Sequence, residues 1–319
     1  MQPASDTVPM EYRQLGQTDL HLSVIGFGAS PLGNVYEMTD PAEVKRSVHA
    51  AVESGINFFD VSPYYGLTLA EERLGESLIG VRDKVVLATK CGRYGLDSFD
   101  FSAQRVAASI DESLRRLKTD YVDLLQAHDV EFGDVQQIID ETIPALRKIQ
   151  QAGKARYIGI SGYPPKTLMR IAEAVRVDSI LSYCRYNLLI TDMDEALTPF
   201  AKRNGIGLIN ASALHMGVLT EHGAPDWHPA PFEVREAGRK IAEFCHQRGV
   251  DISSVALRFC FDHPDVATTL VGMSTAEHVQ RNLQLLTTAT DDELVNDLRS
   301  LIGPASNRVW PSGRPENHG

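Results

Sequence analysis

The sequence predicts one α/β domain, a (β/α)8 barrel of the TIM type with a helix added at its C-terminal end. Two observations carry this. Short apolar runs rich in Val, Ile and Leu alternate with stretches of helical spacing along the whole chain. Eight such strand–helix pairs in 319 residues match the count and size of a barrel. A doubly wound sheet is the alternative, but it would usually carry about five to seven strands and a phosphate loop at its switch point. No low-complexity linker and no repeat beyond the βα alternation interrupts the pattern. The barrel is therefore assigned to residues 11–312, with residues 1–10 a disordered tail and 313–319 a second tail.

The expected strands, in order, are LSVIGFG (22–28), INFFDVS (56–62), VVLATK (85–90), YVDLLQAH (121–128), ARYIGIS (155–161), SILSYCRY (179–186), IGLINASA (206–213) and VATTLVGM (266–273). Between the third and fourth, SAQRVAASIDESLRRL puts Val106, Ile110, Leu114 and Leu117 on one helical face behind Ser102, an N-cap residue. DETIPALRKIQQAGK stops at Gly153, FAKRNG at Gly205 and CHQRG at Gly249, each a C-cap signal. The insert HGAPDWHPAPFE (222–233) falls between strand 7 and its helix, where a barrel builds its active face. DDELVNDLRSLI (291–302) reads as the added helix, followed by irregular chain.

Composition narrows the function. With 43% apolar residues the chain fills a core, and a net charge of −11 provides no basic face for nucleic acid or an anionic membrane. The four cysteines, Cys91, Cys184, Cys245 and Cys260, form no zinc-like spacing, and no run reaches the roughly 18–20 apolar residues of a membrane helix. The opening MQPASDTVPM is polar and unlike a secretory signal. A reducing cytoplasm, a small-molecule substrate and a monomer or weak homo-oligomer are expected.

Barrel chemistry sits at the C-terminal ends of the strands. Strand 2 ends in Asp60 with Tyr65 in the loop beyond, strand 3 in Lys90, strand 4 in His128 followed by Asp129, and strand 5 in Ser161-Gly162. A free tyrosine titrates near pH 10, and bringing it to about 7 takes roughly 4 kcal/mol of differential stabilisation at about 1.4 per unit. An ammonium at Lys90 supplies such stabilisation, Asp60 orients that ammonium, and His128 hydrogen-bonds the substrate oxygen. The set moves a proton at a C–OH/C=O centre, and it contains neither an acyl nucleophile nor a metal cage. A hydride partner, a nicotinamide, completes that chemistry. Taken singly, Asp60 reads as a turn cap, Lys90 and Tyr65 as surface or packing, and His128 as structural; the conjunction at successive strand ends carries the reading. GFGASPLG (26–33) fails the dinucleotide fingerprint because its third position is Pro31.

These residues resemble the aldo-keto reductase superfamily. DVSPYYG, ATK, a histidine after strand 4, IGISGY and LVGMSTAEHVQRNL all match its pattern, over about residues 11–312. ATKCGRYGLDSFDFSAQRV, AHDVEFG, ILSYCRYN, PDWHPA, LVGMS and WPSG resemble more closely its L-galactose dehydrogenase branch, in which the anomeric carbon of a sugar is oxidised. The resemblance implies Asp60, Tyr65, Lys90 and His128 as catalytic tetrad, with Gly28, Ala29, Asp60 and Ser161 near the nicotinamide. It also implies Ser212, Leu214, Gly217 and Leu219 over the pyrophosphate, and Gly272, Ser274, His278, Arg281 and Asn282 around the adenosine. Two positions depart from the pattern. Gly162 stands where an Asn usually holds the carboxamide, and Tyr183 falls near the place of a Gln. Gly272 and His278 replace the Lys and Arg that hold a 2′-phosphate, which favours NAD over NADP, with Arg281 the complication.

For the substrate, Ser30, Tyr65, His128, Asp129, Arg185, His215 and Trp227 line the polar loops, as a sugar requires. Trp227 serves equally well as a plug within its own loop. Cys91 is either a thiolate favoured by Lys90 or a buried, inert thiol. The resulting expectation is NAD-dependent oxidation of the C1 hydroxyl of L-galactose, L-fucose or a related aldose to the lactone, with Tyr65 as base. An NADPH-dependent aldehyde or carbonyl reductase uses the same tetrad and is the alternative. A non-catalytic channel-associated subunit and a metal-dependent hydrolase barrel are further readings. The intact tetrad opposes the first, and the lack of an HxH pair opposes the second.

Overall fold

A computed structural model describes residues 10–35 and 37–318, so the expected N-terminal tail lies outside the described residues but for Met10. Eight parallel strands close into a barrel: β3 (Ile25–Gly28), β4 (Phe58–Asp60), β5 (Val86–Cys91), β6 (Val122–Ala127), β7 (Ala155–Gly162), β8 (Ser179–Tyr183), β9 (Gly207–Ala211) and β10 (Thr268–Gly272). The ring closes where Gly272 pairs with Gly28. All eight expected strands are present, each within a few residues of its predicted bounds.

The first expected strand, however, is two. Residues 22–28 divide at Val24, with β2 (His21–Ser23) turned back against β1 (Tyr12–Gln14) as an antiparallel hairpin. Leu15, Leu20 and Leu22 of this hairpin pack with Phe58, Ala88, Leu124, Leu181 and Ile209 inside the barrel and seal its lower end. A continuous apolar run cannot distinguish a barrel strand from a plug, because both are buried.

The helices cover the outside. Ala103–Leu117 buries Val106, Ile110, Leu114 and Leu117 as expected, and Ser102 Oγ accepts from Arg105 N–H at 3.3 Å. The next helix carries a π-turn, Ile138–Thr142, ahead of its last segment Ile143–Gln151. Gly205 ends Met193–Asn204 in the left-handed conformation. The added helix, Asp292–Ile302, is capped by the Asp291 side chain and buries Val295, Leu298 and Ile302 beside Val234 and Ile241.

The chain beyond it is no tail. Trp310 stacks on Tyr163 with ring centroids 4.4 Å apart. Arg314 N–H donates to Glu131 O at 2.9 Å, and the buried Asn317 amide donates to Glu131 O at 2.7 Å and Gly133 O at 2.9 Å. Carbonyls in the turn after β6 need partners, and Asn317 provides them, so residues 313–318 form a docked strap. All four cysteines are buried and unpaired. Burial pushes the Cys91 thiol up to about 12, which leaves its inert reading. Among the described residues no helix is long and apolar enough to cross a membrane.

Candidate active site

Lys90 lies at the centre of the site. It stands on β5 opposite Gln126 of β6, at the upper end of the barrel. Its Nζ donates to Asp60 Oδ1, to Val61 O at 3.0 Å and to the Tyr65 hydroxyl at 3.3 Å. Lys90 and Asp60 are almost wholly buried. Gln126 Nε2 donates to the second Asp60 oxygen at 3.0 Å, so the carboxylate is held on both sides. Burial pushes the Asp60 carboxyl up, against the opposing pull of Lys90 and Gln126. The ammonium is thereby oriented from one side and offered to the phenol on the other.

Tyr65 is placed by a backbone contact between two loops. A Cβ on Gly66, whose φ is +62°, would lie 2.1 Å from Gly33 O, and one on Gly33 would lie 2.7 Å from Tyr65 O. Only glycine at both positions allows the loop after β3 to press on the loop after β4. Ser62 anchors the same turn, accepting from Tyr64 N–H at 3.1 Å while Tyr65 N–H donates to Ser62 O at 3.1 Å.

His128 follows β6, edge-on to the Tyr65 ring at 5.7 Å. Its Nδ1 is 3.0 Å from Ser62 Oγ. Ser62 Oγ accepts from Tyr64 N–H and keeps its own proton available for Nδ1, an arrangement compatible with the tautomer that carries its proton on Nε2. Burial, with Lys90 and Arg93 nearby, holds the imidazole well below its ordinary range, so it is neutral. The site thus combines a phenol beside an ammonium with a neutral N–H donor, a pairing suited to proton exchange with one oxygen atom.

The other predicted residues divide. Gly28 and Ala29 sit at the ring closure, where Gly28 pairs with Asp60 and Ala29 N–H donates to Asp60 O at 2.9 Å. Ser161 is buried, and its Oγ accepts from Asp129 N–H at 3.3 Å. Ser212, Leu214 and Gly217 are partly open along the loop after β9, whereas the Leu219 side chain is core, leaving only its backbone for a ligand. Ser274 Oγ lies 3.3 Å from His278 Nδ1, Asn282 is buried, and Arg281 and Gly272 are exposed. Ser30 is half-buried in the turn Ser30–Gly33.

Three residues are committed elsewhere, and a fourth loses one of its two readings. The Tyr183 hydroxyl donates to Glu131 Oε1 at 3.0 Å, so it is committed to a buried acid and is not free to act as the usual Gln does. Arg185 is tied to Asp192, Nε to Oδ1 at 2.9 Å, and lies over the Tyr163 ring. His215 is fully buried between His228 and Trp310, its Nδ1 3.2 Å from Asn187 Nδ2, and burial pushes it down to about 3. Trp227 is 61% exposed, which removes its reading as a plug.

Several residues escaped the sequence reading. Gln126 holds Asp60, Ser62 meets His128 Nδ1, and Glu131, fully buried, accepts from Tyr183, Tyr163 N–H and Ser312 through Oε1. Burial and the nearby Asp129 push Glu131 up to about 8. A Cβ on Gly162 would lie 2.6 Å from Glu131 Oε2, so the carboxyl fills the space that an Asn side chain at 162 would need. Arg93 pairs with Asp129. Gln126 alone had a sequence signal: it lies two residues before His128 on the strand facing Lys90.

The arrangement fits a nicotinamide dinucleotide. Gly28 would place a Cβ 3.1 Å from Val271 O and Gly272 one 3.1 Å from Pro31, so the chain is closely packed where the barrel ring closes. The Ser161 and Ser274 hydroxyls and the N-terminal turn of Ala276–Gln284 are donors of the kinds a carboxamide and phosphates need.

Comparison with known proteins agrees. The profile described as "Aldo/keto reductase family" matches residues 24–302. L-galactose dehydrogenase of Arabidopsis thaliana is 44% identical over 318 residues, covering 97% of this chain and 99% of that protein. D-threo-aldose 1-dehydrogenase of a Pseudomonas species is 30% identical, covering 83% and 89%. The holo form of an aldo-keto reductase from Bacillus halodurans superposes with a TM-score of 0.79 at 28% identity, over 98% of this chain and all of that one. A match across nearly the whole barrel, with a relative this similar along its full length, makes this chain a member of the aldo/keto reductase family, an oxidoreductase that works with a nicotinamide cofactor.

Proposed function

We propose that the chain is an NAD-dependent aldose 1-dehydrogenase, oxidising the C1 hydroxyl of L-galactose or a related sugar to the lactone. The observation that carries the chemistry is the linked set Gln126–Asp60–Lys90–Tyr65 with a neutral His128 beside it. The sugar is inferred from the names of the relatives, an L-galactose dehydrogenase and a D-threo-aldose 1-dehydrogenase.

A bound nicotinamide supplies the hydride acceptor. The Lys90 ammonium, fixed by Asp60 and Val61 O, favours the Tyr65 phenolate. Tyr65 takes the proton of the anomeric hydroxyl, and His128 donates its Nε2 proton in a hydrogen bond to the same oxygen, setting the angle of approach. Because His128 is neutral, it does not compete with Tyr65 as an acid.

Three features support NAD over NADP. Gly272 offers no cation, and His278 is pushed down by burial and by Arg281 and so stays neutral. Glu43, paired with Arg46 through its other oxygen, also accepts from Ala276 N–H at 3.1 Å, so one donor at the start of Ala276–Gln284 is already spent. A dianionic 2′-phosphate there finds one donor fewer, with the exposed Arg281 the opposing consideration, whereas a ribose hydroxyl needs no cation.

The test is initial rate at 340 nm with NAD⁺ or NADP⁺ against a panel of free aldoses. NADH formation with L-galactose is the expected result. No turnover of any sugar, together with NADPH-dependent reduction of simple aldehydes, would overturn the reading.

A further inference from the structure

Arg93 has a place that neither the fold nor the tetrad requires. It leaves β5 three residues after Lys90, yet its guanidinium turns back over the mouth of the barrel. It lies 3.8 Å from the Tyr64 ring centroid, 5.2 Å from Phe99 and 5.6 Å from Phe132. Phe99 and Phe132 are themselves stacked at 4.6 Å. Three loops thus cage one arginine, and a cation held by aromatic faces loses its freedom before any ligand arrives. A short loop fixes the backbone beneath it, with Arg93 bridged to Phe99 and Tyr94 N–H donating to Ser98 O at 2.8 Å.

Its Nη1 contacts Asp129 Oδ2 at 2.5 Å. Asp129 is held in the left-handed conformation, φ +51°, directly after His128, and its other oxygen lies 3.6 Å from His128 Nε2. Among the described residues Nη2 of Arg93 makes no hydrogen bond, while the side chain remains 15% exposed. The pair therefore presents an unused N–H donor and a carboxylate acceptor, side by side, next to the nitrogen that meets the reacting oxygen. Arginine stays charged, so the pair sums to zero, and the neighbouring Glu131 acid adds no attraction for anions.

We propose that Arg93 and Asp129 form a neutral two-pronged subsite that grips adjacent ring hydroxyls of an aldose and turns away phosphorylated or carboxylated sugars. A vicinal diol offers one acceptor and one donor at the spacing of such a pair, which a hydroxyl-free aldehyde cannot match. This rests on the aldose reading above and names its substrate class: neutral, unphosphorylated sugars. Arg93 and Asp129 set specificity and leave proton transfer to the tetrad.

The experiment is calorimetric titration of the NADH-loaded enzyme with L-galactose, galactose 6-phosphate and galacturonate, for the wild type, Arg93→Lys and Arg93→Gln. Each variant is first checked for unchanged NADH affinity and thermal midpoint. The neutral sugar is expected to bind wild type at least tenfold more tightly than either anionic sugar. Both variants should lose at least tenfold in L-galactose affinity, Arg93→Lys included, because an ammonium lacks the fork. L-galactose affinity within twofold of wild type in both variants, tighter binding of an anionic sugar, or no saturable sugar binding to the wild type overturns the subsite. Saturable binding that the variants lose, in a protein that oxidises no aldose, upholds the subsite and overturns the oxidation reading alone.

Discussion

At the scale of single residues, the site works through what each side chain is denied. Lys90 cannot turn to solvent, because Asp60, Val61 O and Tyr65 take its three donors. His128 cannot hold a second proton, because burial and two cations oppose it. Tyr65→Phe is expected to retain NADH binding but to lose at least about a hundredfold in kcat, the lower end of general acid–base contributions. In the wild type the oxidation rate should rise toward alkaline pH, as the phenolate forms, with no limb from His128; wild-type turnover in the variant would dismiss Tyr65 as base. Asp60, Tyr65, Lys90 and His128 could be picked out together in the sequence because each closes or follows a strand run, and the structure brings the four to one place. Arg185 and His215 also looked polar and well placed, yet Asp192, further along the same connection, claims the first, and the second packs with Trp310 from far along the chain. Arg93 and Glu131 were hidden for the converse reason: a single charge in a loop carries no periodicity to mark it.

At the scale of elements, the loops are positioned by close backbone approach more than by side-chain contact. Gly66→Ala brings a Cβ to 2.1 Å from Gly33 O at a φ of +62°, whereas Gly80, at φ +83°, has nothing within 4 Å. Gly80→Ala is therefore expected to cost about 1–2 kcal/mol from conformation alone. Gly66→Ala should add roughly 1–3 kcal/mol of steric strain and lower kcat at least tenfold by moving Tyr65. Urea unfolding and initial rates on the two variants check this, and equal losses would mean the contact does not position Tyr65. The helix at Ala103–Leu117 was readable to the residue, because its cap and its buried face both follow from local rules. The β1–β2 hairpin was not, since Leu22 is as apolar in a plug as in a strand.

At the scale of the whole molecule, the strap and the barrel are joined through Glu131, whose Oε1 accepts from Ser312 and whose carbonyl accepts from Arg314 and Asn317. With its carboxyl raised to about 8 from an ordinary 4.5, the folded state keeps a proton that the unfolded chain has released. Stability from this group is complete below about pH 4.5 and is lost as pH climbs through 8. The thermal midpoint of the wild type should fall between pH 5 and about 8.5, and Glu131→Gln, which cannot ionise, should show a shallower fall. Parallel curves would remove Glu131 as the cause. The ring itself closes late in chain order, with Gly28 of β3 meeting Gly272 of β10. On the reading proposed above, the proton-handling residues, from Asp60 to His128, all precede β7, while the residues proposed for the dinucleotide come from both ends of the barrel, Gly28 on β3 and Ser161 through Asn282 from β7 onward. On that reading neither half of the chain carries both parts of the reaction. A barrel stopped short of β10 leaves β3 and β9 as open edges, so the last strand to be made decides assembly and the proposed chemistry together.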